Sequence, residues 1–332
     1  MSRYAATHTN PQGPGDARPT ALRIVQDEGL MGKLSGKIAL ITGGNQGLGL
    51  ETARALHATG ATIFITARSS AKVEQAIRDI LSTAGVAESS SPIYGIELKL
   101  DSLASVRAAA KQFLAQSNKL NLLILNAGVM ATPEGKTEDG FKTQFGINHL
   151  GHFLLFQLLI TALLNGSMPL FQSRVISLSS MAHEISGIRF DDYNFEKETY
   201  NPWIAYGQSK TANIYFAAEV ERRYGSQGLH AIAVHPGIIY TNLAHSVDPA
   251  EMRWMESIKH TVKSPSQGAA TTIYAALSKE WEGQGGKYLS NCVEEHPRGA
   301  GTGPGYASWI YDEEAESRLW RLSNELVDFQ EN

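Results

Sequence analysis

The chain has 332 residues, 42% of them hydrophobic and 19% charged, with a formal net charge of −4. That balance excludes a disordered chain, and without clustered Lys and Arg it excludes a nucleic-acid footprint, leaving small molecules as the expected partners. The single cysteine, Cys292, excludes an intrachain disulfide and fits a reducing, cytoplasmic compartment.

Residues 1–20 are rich in Pro, Gly, Thr and Asn, lack the apolar core of a secretory signal, and are expected to be flexible; a short amphipathic helix then leads in before residue 35. From there strand-like and helix-like stretches alternate. Strands are expected at 37–42 (KIALIT), 62–66 (TIFIT), 93–100, 120–125 (LNLLIL), 174–179 (RVISLS), 229–234 and 287–290. Helices are expected at 48–59, 72–83, 103–116, 141–164, 205–224, 265–277 and, as an amphipathic tail, 312–330. The apolar run 153–164 is interrupted by Gln157 and Thr161 and is shorter than the roughly 18 to 20 residues of a membrane span, so it reads as a buried helix without stable membrane insertion. Seven apolar strand runs separated by helices imply parallel βαβ units, and hence one α/β domain built as a doubly wound parallel sheet. In such sheets ligands sit beyond the C-terminal ends of the strands.

The first strand runs into Thr42-Gly43-Gly44-Asn45-Gln46-Gly47-Leu48-Gly49, and a helix follows. Glycines let the backbone turn tightly and approach a pyrophosphate, which the free N–H groups of the helix start would stabilise, so this is expected to be a dinucleotide site. The cluster 299–305 (GAGTGPG) has no strand before it and reads as a loop. The second strand ends Thr66-Ala67-Arg68-Ser69-Ser70, with no carboxylate where an NAD enzyme would bond the ribose 2′-hydroxyl. The guanidinium fork of Arg68, with Ser69 beside it, suits a 2′-phosphate and predicts NADP(H). Asp101, past the third strand, is expected either to bond the adenine amino group or to cap the following helix, and the two roles are compatible.

The motifs from Thr42 to Gly49, then Asn126-Ala127-Gly128, Asn148, Ser180, Tyr206-Gly207-Gln208-Ser209-Lys210 and Pro236-Gly237 occur in the order of the short-chain dehydrogenase/reductase family, which the chain resembles over roughly residues 35 to 290. The resemblance implies a Rossmann-type fold and hydride transfer between a nicotinamide and a carbonyl or alcohol carbon. It implies that Tyr206 is the acid/base, that Ser180 stabilises the developing alkoxide, and that Asn148 distorts its helix to hold a water near Lys210. Asn126, Ala127 and Gly128 would brace the cofactor pocket, and Pro236, Gly237, Ile239 and Thr241 would hold the nicotinamide carboxamide. Two YxxxK matches are present, Tyr193/Lys197 and Tyr206/Lys210. Tyr193 lies 13 residues after Ser180, but in a polar stretch that Pro202 interrupts; Tyr206 opens an apolar-periodic helix and is preferred. Its position 26 residues after Ser180 resembles the retinol dehydrogenase and WW-domain oxidoreductase branch.

Tyr206 and Lys210, at i and i+4, share a helix face, so the lysine, together with the positive nicotinamide ring of the oxidised cofactor, is expected to lower the pKa of the phenol. His149 and His152 read as helix-packing residues rather than a metal pair, and no metal is expected. Residues 243–263, with Met252, Trp254, Met255 and Ile258, follow the nicotinamide segment where the family carries a substrate lid, and an apolar face there would suit a bulky lipophilic carbonyl or alcohol. By resemblance the substrate is of retinoid, steroid or polyketide type, and the C-terminal tail is similar to that of fungal members that reduce biosynthetic intermediates. Pairing through helices 141–164 and 205–224 into a homodimer is left open, since either chain end could cover them. A cofactor-binding sensor without turnover would be marked by loss of Ser, Tyr or Lys; all three are present.

Overall fold

Runs of Ile, Leu and Val without polar alternation form strands that are buried on both faces, which is what a sheet sandwiched between helices requires. The computed structural model describes residues 2–83, 91–248, 253–298 and 305–331. Its strands are β1 Ile38–Ile41, β2 Thr62–Ala67, β3 Ile93–Glu97, β4 Leu122–Leu125, β5 Ser173–Leu178, β6 Leu229–His235, β7 Lys287–Ser290 and β8 Val293–Glu294. They join one sheet in the order β3-β2-β1-β4-β5-β6-β7-β8, in which β1 to β7 run parallel and β8 pairs antiparallel to β7. The expected seven-strand doubly wound sheet is therefore present with a short eighth strand. That extra strand exists because Asn291 and Cys292 take φ of 50° and 57°, the left-handed backbone of a two-residue hairpin.

The helices are α1 Ala21–Asp27, α2 Gly47–Ala58, α3 Ser70–Leu81, α4 Leu103–Leu114, α5 Thr143–Gly166, α6 Pro202–Tyr224, α7 Ala270–Leu277 and α8 Glu313–Leu326. On one face of the sheet Ile41, Ile63, Ile65, Ile124 and Val234 pack with α1, α2, α3 and α7; on the other Leu40, Phe64, Leu123 and Val175 pack with α4, α5, α6 and α8. Residues after β1 and β4 thus meet at the reversal of strand order, where a crevice opens.

Helix α5 has the length expected for it and lies two residues later in the chain. Its 24 residues are long and apolar enough to cross a membrane by length and composition, yet the side chains of its apolar stretch are mostly buried against the neighbouring helices. The helix packs against α4 and the sheet, and α8 adds to its cover through Trp320, which lies 5.0 Å edge-on to Phe153 and stacks on Phe216. Arg222 of α6 bridges to Glu316, and His149 shares a 2.7 Å hydrogen bond with Ser323. The faces of α5 and α6 through which pairing was considered are therefore the ones α8 covers.

The N-terminal residues, expected to be flexible, lie folded against the body of the protein. Tyr4 is buried edge-on to Tyr274 at 5.9 Å. Arg18 is 4% exposed and donates to the carbonyls of Thr261, Val262 and Gly13, while the Gln267 amide donates to the carbonyls of Asp16 and Arg18. A Pro- and Gly-rich segment reads as loop because it has no periodicity; here long-range backbone partners hold it instead.

Candidate active site

The glycine turn after β1 is built for close approach. Gly43 and Gly47 take φ of +64° and +54°. A Cβ on Gly49 would stand 2.2 Å from the Gly43 carbonyl oxygen, and one on Gly44 would stand 2.9 Å from Ile65, so side chains there are excluded. Gln46 precedes α2 without a side-chain cap, which leaves the first N–H groups of that helix for an anion. Asn126, after β4, donates its side-chain amide to the Thr42 carbonyl at 2.9 Å and so braces the turn. A cleft of ≈ 540 Å³ opens here, lined among others by Gly43, Asn45, Gln46, Gly47, Leu48, Gly49, Asn126, Ala127 and Gly128. The glycines that a Cβ would fill, the uncapped helix and this volume together fit a dinucleotide.

Arg68 and Asp101 both line the cleft at the ends of β2 and β3. Lys72 joins them from the first turn of α3; sequence reasoning passed over it because a lysine near a helix start carries no signal until the fold turns it toward the same cleft. Ser69 is the N-cap residue of α3 but makes no side-chain cap bond and is not among the cleft-lining residues. Asp101 does not cap α4. The Asp139 carboxylate accepts from Leu103 N at 2.8 Å in that role, which leaves the Asp101 side chain to the cleft.

After β6 the chain passes Pro236, Gly237 and Ile239 and folds back over the glycine turn. Thr241 lies within 3.6 Å of the position a Gly47 Cβ would take, and the Asn242 amide reaches the Gln46 side chain at 3.3 Å. Tyr240, Thr241, Asn242, Leu243 and His245 line the cleft, with Tyr240 57% exposed. Of the apolar lid residues, Met252 lies outside the described residues, as do the side chains of Trp254 and Met255; Ile258 is half-buried. Residues 299–304 of the second glycine cluster lie outside them too.

The residues expected to be catalytic come together at the C-terminal end of β5. Ser180 follows that strand, and its hydroxyl accepts from Ala182 N at 3.1 Å and lies beside the Tyr206 phenol, whose ionised form it favours. Asn201 caps α6 through Trp203 N and Ile204 N with Pro202 in the first turn, so the helix starts three residues earlier than expected and presents Tyr206 and Lys210 on one buried face. Lys210 Nζ donates to the Leu178 carbonyl at 2.9 Å and stands 5.6 Å from the Tyr206 ring centre. Asn148 sits in a π-turn, Gly146–Leu150, within α5, and its amide donates to the Val129 carbonyl and to Ser209, both at 2.9 Å. A Cβ on Gly128 would stand 3.0 Å from Asn148 Oδ1 and 3.6 Å from Lys210 Nζ, which places these two groups against the same glycine.

The electrostatics correct one expectation. Burial pushes the Tyr206 phenol up to about 12, and the hydrogen bond from Ser180 opposes this without reversing it. Burial also pulls the Lys210 ammonium down to about 8. The lysine does not dominate the phenol because both groups lie in a dry environment that disfavours both charges. The outcome is a tyrosine held protonated at neutral pH.

Tyr193 and Lys197 do not form a second site. Lys197 lies in a turn whose amides converge on the Asp192 carboxylate, and the Tyr193 ring packs on Phe145 at 5.8 Å. His149 and His152 reach different partners, Ser323 and Thr42, and no group of three or more metal-capable side chains occurs among the described residues. His235 carries no signal in the sequence: it accepts from Met181 N at 3.3 Å beside Ser180, a contact only the β5–β6 pairing creates.

The comparisons agree with this geometry. A family model described as short chain dehydrogenase matches residues 37–252. A short-chain dehydrogenase/reductase, prx1, of Penicillium roqueforti is 46% identical over 99% of this chain and 96% of its own length. Oxidoreductase calI of Penicillium decumbens is 42% identical over 99% of each chain, and retinol dehydrogenase 12 of Mus musculus is 39% identical over 90% of this chain and 88% of its own. Among solved structures, an uncharacterised protein from Mycobacterium paratuberculosis superposes with a TM-score of 0.69 at 32% identity, covering 95% of this chain and 99% of that one. The chain belongs to the short-chain dehydrogenase/reductase family. Within it, the chain is an oxidoreductase of the retinol dehydrogenase-like branch, together with fungal members.

Proposed function

We propose that the protein is an NADP(H)-dependent reductase of a bulky lipophilic ketone or aldehyde, working in the cytoplasm. The observation that carries the cofactor choice is the end of β2, where Arg68 and Lys72 face the cleft and Thr66 and Ala67 stand where a carboxylate would repel a 2′-phosphate. The glycine turn and the start of α2 would hold the pyrophosphate, with Asn126 bracing the turn from behind. Pro236, Gly237, Ile239 and Thr241 would hold the nicotinamide end. When bound, the cofactor supplies the hydride.

The chain's own residues manage the proton. Tyr206 carries it at the phenol oxygen, and its raised pKa keeps that proton available to a substrate oxygen becoming an alkoxide. Ser180 is placed to share a hydrogen bond with the same oxygen. Lys210, fixed by the Leu178 carbonyl, stands behind the tyrosine to favour the phenolate once the proton has gone. Reduction as the working direction is supported by the NADP pool, which cells usually keep reduced. The lipophilic substrate class is supported by the exposed Met181, Ile185, Tyr240 and Leu243 and by the retinol dehydrogenases among the relatives. The single buried thiol, Cys292, supports a reducing compartment.

The test is fluorescence titration with NADPH and NADH, followed by nicotinamide absorbance against a panel of lipophilic ketones and aldehydes, for the wild type and Tyr206→Phe. Preferential NADPH binding, with turnover that collapses in the variant, is the expected result. Equal binding of both cofactors overturns the cofactor assignment, and full activity in the variant overturns the tyrosine.

A further inference from the structure

His152 lies on α5 one turn beyond Asn148 and is 3% exposed. Both of its ring nitrogens are engaged. Nδ1 stands 3.1 Å from the Asn148 carbonyl oxygen, and Nε2 stands 2.9 Å from Thr42 Oγ1. A carbonyl oxygen can only accept, so Nδ1 carries the proton. Nε2 of the neutral ring is then an acceptor, and the Thr42 hydroxyl donates to it in preference to the Ile124 carbonyl, which lies farther away at 3.3 Å. The lone pairs of that hydroxyl receive the N–H groups of Asn126 and Ala127 at 2.9 and 3.0 Å.

Every hydrogen of this chain therefore points one way, from the end of β4, through the residue that opens the glycine turn, through an imidazole, to the backbone of the π-turn that presents Asn148. Burial pushes the ring down to about 4, with the nearby Lys210 acting in the same direction, so one neutral tautomer persists across the neutral range. Ordinary helix packing needs neither bond. A phenylalanine would fill the space, and a buried imidazole with both nitrogens satisfied is what connects two pieces of backbone rather than merely covering them.

We propose that His152 is a positioning residue for the reaction, fixing the register between the cofactor cradle at Thr42 and the proton-relay end of the site at Asn148. The inference rests on the oxidoreductase reading of Tyr206 and Lys210 and adds a role to a side chain that touches neither substrate nor cofactor. The proposal is tested with His152→Phe, which keeps the volume and removes both bonds, with Thr42→Val, which removes only the hydroxyl, and with the double variant. His152→Gln serves as the conservative replacement, since its amide can still donate to the Asn148 carbonyl.

Displacements of a fraction of an ångström at a reacting centre cost on the order of tenfold to a hundredfold in rate, so each single variant is expected to lower kcat by that range, weaken NADPH binding and displace the alkaline limb of the kcat–pH profile. The double variant is expected to be no worse than the worse single one, because both cut the same chain. His152→Gln is expected to recover part of kcat. Independent, multiplicative losses overturn the proposal, as does a His152→Phe variant that melts earlier but keeps kcat, NADPH affinity and pH profile. Tyr206→Phe, run in parallel, separates the two claims: if it retains activity, the reading of the reaction fails, whereas if it is inactive and His152→Phe is not, only the role of His152 fails. Nitrogen-15 histidine spectra of the cofactor-free protein provide a readout independent of turnover, expected to show a neutral Nδ1–H ring at position 152 from pH 5 to 8; an Nε2–H tautomer or a charged ring there overturns the proposal.

Discussion

The two ends of the site obey opposite physical rules. At the outer end of the cofactor cleft the charged groups are wet: Arg68 is exposed, Asp101 is half-buried and Lys72 lines the same opening. At the inner end Tyr206 and Lys210 are 4% and 5% exposed, and burial displaces both from their ordinary pKa values. Recognition of a charged cofactor tolerates water, because fixed charges attract across it at modest cost. Proton transfer to a carbonyl depends on protonation states that the dry environment sets and that bulk water would level. The contrast means that the outer end should respond to salt and the inner end to pH.

The largest break comes from the inner end. Tyr206→Phe removes the transferable proton and should cost about 10²- to 10⁴-fold in kcat with NADPH affinity unchanged by titration. The next is a pH effect: Lys210 loses its ammonium as pH rises through about 8, so kcat should fall about tenfold per pH unit above that point, read from initial rates. Arg68→Ala or Lys72→Ala should weaken NADPH binding by about tenfold each and leave NADH binding unmoved, as expected for one charge-assisted phosphate contact. Raising ionic strength should weaken NADPH binding several-fold in the wild type and much less in Arg68→Ala, without shifting the alkaline limb.

Stability sharpens the same comparison. The folded chain holds the Lys210 proton less tightly than the unfolded chain, so the buried charge costs stability fully below about pH 8 and the cost fades as pH climbs toward the unfolded value of 10.5. Lys210→Met should therefore raise the Tm at pH 7 while abolishing turnover, and the gain should shrink between pH 8 and 10. Replacing an outer-end charge such as Arg68 should leave the Tm almost unchanged.

Much of this was legible in the sequence because strands and glycine turns are local. The runs IALI and TIFITA, the turn between Thr42 and Gly49, and the order of Ser180, Tyr206 and Lys210 each carry their own signal within a few residues. What was not legible is what depends on distant partners. Two-residue β8 is too short for any periodicity, and Asp101 lost its capping role to Asp139 only because the chain returns there. The phenol of Tyr206 was misjudged because i, i+4 spacing gives proximity to Lys210 but says nothing of how dry the pair becomes. His152 read as packing because Thr42, its second partner, is 110 residues away.

The folded N-terminal segment also sets a timetable. Arg18 waits for a carbonyl at Val262, 244 residues later in the chain, and Tyr4 for the ring of Tyr274. At ribosomal rates of about 5 to 20 residues per second, Arg18 spends on the order of ten to fifty seconds without the surface that will hold it. A segment made ahead of its partners is thus placed only after the chain around Val262 and Tyr274 exists, and its docking reports that this later stretch has come into position.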